Sequence, residues 1–112
     1  MGMFDFLRGK QRDEIPGGHG EFGHDITNPI PTKGLYDSYM YIEMLRTGDG
    51  LKPASSRLGS TTAPNMPGPI DIWQIFGKGD DPVATLHICA YHTRTSHKAP
   101  KGFMLVQAPA SD

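Results

Sequence analysis

Cysteine is nearly missing. The 112 residues contain Cys89 alone, so no internal disulfide can form, and the chain suits a reducing compartment, with a cytoplasmic location expected. There is no CxxC or HxxxH spacing, which removes the common zinc-site signatures. Apolar runs fall well short of the ~18 residues of a membrane span. An excess of one charge is also missing. Eleven Lys and Arg stand against twelve Asp and Glu, for a net charge of −1, which argues against a general nucleic-acid binder. No Gly-rich phosphate loop and no motif that names a reaction is present.

The opening run MGMFDFLRGKQR is too short, with charges on the wrong side, for a secretory signal. Phe6 stands where myristoylation needs Ser or Thr. A short amphipathic helix that docks on its own fold or on a partner is expected there. The runs MGMFDFLRGK and TNPIPTKG resemble those of small bacterial cytosolic proteins, without pointing to a family of known activity.

Glycine and proline, by contrast, are plentiful. Fourteen glycines and ten prolines exceed the average combined usage of about 12% yet stay below the roughly 25–30% of low-complexity chains. A loop-rich but folded single domain is expected, within the usual length of about 100–200 residues. Residues 1–25 read as an N-terminal arm, 26–108 as the domain and 109–112 as a tail. Beyond the arm, four segments of six residues or more contain neither breaker: Leu35–Thr47, Ile70–Phe76, Val83–Ala99 and Phe103–Ala108. They supply the elements.

Leu35–Thr47 predicts a helix, with Thr32 as N-cap and Gly48 beyond its end. At 100° per residue Leu35, Tyr39, Ile42 and Leu45 share one face, and Tyr36, Met40 and Met44 lie opposite. A helix apolar nearly all round is covered on more than one side, by the arm or by another subunit. Gly48–Pro69 reads as a long loop with a short strand at Arg57–Thr61. Ile70–Phe76 and Val83–Tyr91 form a hairpin, and Phe103–Val106 a third strand. Alternation favours a register with Ile72 opposite Leu86, so that Asp71 faces His87 and Trp73 faces Thr85. Aliphatic side chains then turn inward, leaving Asp71, Trp73, His87, Cys89 and Tyr91 on the reverse. The fold class is α+β: one main helix on a small antiparallel sheet of three to four strands, with a long irregular arm anchored by Ile26 and Ile30.

Three chemistries follow from that layout. His87 and Cys89, two apart on a strand, point the same way. With His19 or His24 from the arm they would offer imidazole and thiolate to a metal, although nothing in the sequence demands a cofactor. The same pair with Asp71 supplies the role types of a thiol enzyme. The bland alternative has His87 paired with Asp71 and Cys89 packed as a small apolar residue. Arg94, His97, Lys98 and Lys101, joined by Arg57 from the long loop, would hold phosphate or carboxylate; the bland alternative is solvated loop charge. The preferred reading is a non-catalytic binding or interaction domain with a protein partner or self-association, for instance as a homodimer. A metal- or thiol-dependent enzyme and an anion-binding module are the alternatives.

Overall fold

The computed structural model describes residues 13–66 and 68–106. The amphipathic opening run and the tail lie outside the described residues. The elements are strand β1 (Ile30–Pro31), helix α1 (Gly34–Met44), strands β2 (Leu45–Thr47), β3 (Ala54–Thr61) and β4 (Ile70–Phe76), a 3-10 turn at Lys78–Asp80, and strands β5 (Pro82–Cys89) and β6 (Phe103–Leu105). Four strands make a sheet in the order β1-β5-β4-β3, and β2 pairs with β6 in a second sheet of two. The α+β class stands. The larger sheet is mixed, because β1 runs parallel to β5 while the other pairs are antiparallel.

The hairpin forms where the breakers place it, but its register differs by one residue from the alternation argument. Asp71 lies opposite Ile88, Ile72 opposite His87 and Trp73 opposite Leu86. Alternation fixes a register when one face of the sheet meets solvent. Here both faces are covered, so both sets of apolar side chains are buried. On one face Trp73, Ile75, Leu86 and Ile88 pack under Tyr41, Ile42 and Leu45. On the other, Ile70 and Cys89 pack under Ile15, Ala63, Met66 and Ile26. Each fully buried aliphatic side chain stabilises the fold by about 1.5–3 kcal/mol, so neither face dictates the register alone. The turn participates too. Gly77 N–H donates to Asp81 O at 2.7 Å, and Phe76 meets Pro82 after an irregularity in the ladder.

Helix α1 starts at a turn that needs glycine, since Gly34 has φ +85°. Thr32 does not cap it. Lys33 occupies the cap position without a side-chain bond, while Thr32 Oγ1 pairs with Ser38 Oγ at 2.6 Å. The helix ends at Met44 rather than Thr47, because Leu45 turns extended and pairs with Leu105. Arg46 satisfies freed carbonyls there, donating to Glu43 O at 2.9 Å and Leu45 O at 2.7 Å. The buried face is rotated from the expected one. Ser38, Tyr41 and Ile42 are buried, whereas Leu35 and Tyr39 are exposed. Polar tips that find partners can be buried. Tyr41 Oη donates to Lys98 O at 2.5 Å and Ser38 Oγ to Gly34 O at 3.1 Å.

The expected long loop contains an eight-residue strand, β3, which also reaches upstream of Arg57–Thr61. Its serines carry little strand propensity; pairing with β4 makes it a strand. Phe103–Leu105 is a strand but joins β2 instead of the hairpin.

Candidate functional site

The register separates the expected cluster. Side chains of directly opposed residues share a face, so Asp71 lies with Ile88, Trp73 and Leu86, while His87 and Cys89 lie on the reverse. Asp71 does not face His87. Its carboxylate is held by Arg57 across the β3–β4 pair, Nη2 to Oδ1 at 2.8 Å, and the pairing raises the guanidinium pKa. His87 turns to the arm: its backbone N–H donates to Gly23 O at 2.8 Å, and its ring in the Nδ1–H tautomer donates to the same oxygen at 3.1 Å. Cys89 is fully buried, and desolvation pushes its thiol pKa up. A buried, protonated thiol is a poor nucleophile and a poor metal ligand.

Of the two arm histidines, His24 makes a side-chain bond and His19 contributes only its backbone carbonyl. His24 donates from Nε2 to Lys101 O at 2.8 Å. His19 lends its carbonyl to Thr27 Oγ1 at 2.9 Å. Among the described residues, no group of three or more His, Cys, Asp or Glu side chains is placed to hold a metal ion.

The expected anion cluster is divided in the same way. Arg57 sits on β3, at the opposite edge of the sheet from the 92–98 segment, which bonds to β1 through Ser96 N–H and Pro31 O at 2.9 Å. Three strand spacings, roughly 14 Å, lie between those edges. Lys98 pairs with Glu14 and lies 5.3 Å from the centroid of the Phe22 ring. Lys101 pairs with Glu21 at 3.3 Å. The His97 backbone N–H donates to Asp13 Oδ1 at 3.0 Å. Arg94 is exposed. Lys98 and Lys101 thus fasten the arm to the 96–101 loop.

Among the described residues, the outer side of α1 carries a run of exposed large side chains. Leu35 is 60% exposed, Tyr36 74%, Tyr39 52% and Met40 36%. These side chains follow one another over two turns of the helix. Tyr39 meets the buried Trp73 edge-on, with centroids 5.5 Å apart at 88°. The Trp73 indole N–H has no hydrogen-bond partner among the described residues. Helical periodicity had placed Leu35 and Tyr39 in the core. Nothing in the helix itself marks them as exposed, because the burial of Ser38 and Tyr41 depends on Thr32 Oγ1 and Lys98 O, which only the fold supplies.

No family model, curated protein or solved structure matches the chain significantly, so its chemistry rests on the geometry just described.

Proposed function

We propose that this chain is a non-catalytic interaction domain that docks a protein partner through the outer side of α1. The observation that carries the reading is the run of four large apolar or aromatic side chains, Leu35, Tyr36, Tyr39 and Met40, left in water on one short helix. Scattered exposed hydrophobics are ordinary, but a contiguous apolar patch marks an interaction surface. Tyrosine and methionine suit that role, because they bury much area and tolerate a wet rim. The thiol-centred alternative lacks support, with Cys89 buried and Asp71 on the other face. A cytoplasmic setting remains the expectation from the lone thiol.

A photo-crosslinking side chain at position 36 tests the proposal, with one at Lys78 on the hairpin turn as control. A discrete adduct from position 36 alone, competed by excess wild-type chain but not by a Tyr36→Ser/Met40→Ser variant, supports it. Equal adducts from both positions, or none from position 36, would refute it.

A further inference from the structure

The two edges of the four-stranded sheet are finished differently. The β1 edge is closed. Pro31 has no N–H to offer, its carbonyl accepts from Ser96 N–H at 2.9 Å, and Thr32 O accepts from His92 N–H at 3.1 Å. The β3 edge is open. Among the described residues, no backbone hydrogen bond reaches β3 except from β4. Six of its eight residues are exposed, and it has neither proline nor lysine, the usual guards of an edge. Its protections are the irregularity between Arg57 and Gly59 and the charge of Arg57, which is turned to Asp71 within the sheet.

The open edge also has a roof. Trp73 lies opposite Arg57, and Tyr39 stands on Trp73. Tyr39 therefore lies on the α1 flank above β4, beside β3. Leu35, four residues earlier, shares that flank. Both are more than half exposed. A row of unpaired backbone groups and an apolar overhang thus form one continuous surface.

We infer that the β3 edge, roofed by Leu35 and Tyr39, receives an extended segment of a partner protein as an added strand. This rests on the interaction-domain reading and names the partner's chemistry. Backbone N–H and C=O groups of the incoming strand complete the ladder. Its side chains on the α1 side are bulky and apolar, filling the space under Leu35 and Tyr39. One position among them is acidic. Arg57 uses Nη2 on Asp71, its side chain is 44% exposed, and a guanidinium has further donors for a second carboxylate. A second copy of this chain fits poorly. The α1-side residues of β3 are Ser55, Arg57 and Ser60, two small polar groups and a cation. They would leave the apolar roof unfilled and bring like charges together.

The test is selection of a phage-displayed library of nine-residue peptides against the full chain. The winning peptide is then synthesised with backbone N-methylation at either alternate set of residues. Enrichment of sequences with large apolar residues at alternate positions, one position of that same alternate set being a carboxylate, supports the proposal. Binding should fall at least about tenfold with one methylated set and hold with the other, since only one edge of the added strand is bonded. Arg57→Gln should weaken the acidic peptide but not its glutamine analogue. No enrichment, or binding indifferent to both methylated sets, would overturn it. So would self-association in sedimentation velocity accompanied by exchange protection of β3 amides, because a second copy would then hold the edge. The crosslinking result at position 36 is independent of these outcomes, so this inference can fail while the interaction-domain reading survives.

Discussion

On one face of the sheet a helix, helped by Phe22, covers Trp73, Ile75, Leu86 and Ile88; on the other the irregular arm and the loop after β3, through Ile15, Ile26, Ala63 and Met66, cover Ile70 and Cys89. The helix satisfies most of its own backbone groups and contributes a compact apolar face. The arm has no such internal ladder, so its backbone bonds are made one by one. Gly23 O takes both the N–H and the ring of His87, Ser96 Oγ donates to Asp13 O, and Asn28 Nδ2 donates to Gly20 O. Ion pairs of Lys98 with Glu14 and Lys101 with Glu21 add to this, and exposed pairs of that kind contribute little. The difference implies two levels of stability in one small domain. The helix face should open only with the whole fold, and the arm face should loosen by itself.

The sharpest probe of the helix face is Leu86→Ala. Leu86 is fully buried under α1, so the cavity should cost about 3–4 kcal/mol in urea unfolding, lowering protection throughout the sheet. A loss confined to the arm would contradict the two-level picture.

Gly23→Ala probes the arm. Gly23 has φ +78°, and an added Cβ would lie 3.0 Å from Pro100 Cγ and 3.1 Å from Ile30 Cδ1, at the point where the arm meets the margin of the helix-side core. Left-handed strain and overpacking together should cost about 2–3 kcal/mol. Hydrogen exchange should show the amides of Gly23, His24 and Asn28 opening while the β4–β5 ladder stays protected. Equal loosening of both would erase the contrast.

The smallest effect concerns His92, whose ring is half-buried with Nε2 unpartnered among the described residues. Burial lowers its pKa from the ordinary 6.5. The unfolded chain therefore takes up the proton first as pH falls, and stability declines below about pH 6.5 until the folded ring is protonated as well. The stability of His92→Gln should change less between pH 7.5 and 5 than that of the wild type. An identical pH dependence of the two in chemical denaturation would show that burial of this ring carries no such linkage.

Much of the scaffold was legible in the chain. Breaker-free segments located α1, the β4–β5 hairpin and β6, because proline and glycine act locally and without reference to neighbours. Ile30 was recognisable as an anchor for the same reason, placed between two prolines that hold the backbone extended; it is fully buried. The candidate sites were much less legible. Grouping Asp71, His87 and Cys89 requires one wet face, and nothing in the strand itself reveals that the arm and the loop after β3 cover that face. Arg57 was assigned to an anion cluster across the sheet from its true partner, Asp71, because sequence does not order strands.

The amino-acid sequence alone therefore determined which stretches could be regular, since backbone preferences and apolar spacing are properties of neighbouring residues. Tertiary structure decided the hairpin register, the side of α1 that is buried and the edge of the sheet that stays open. Each depends on groups distant along the chain, such as Gly23 against His87 or Lys98 O against Tyr41, which meet only when the fold closes.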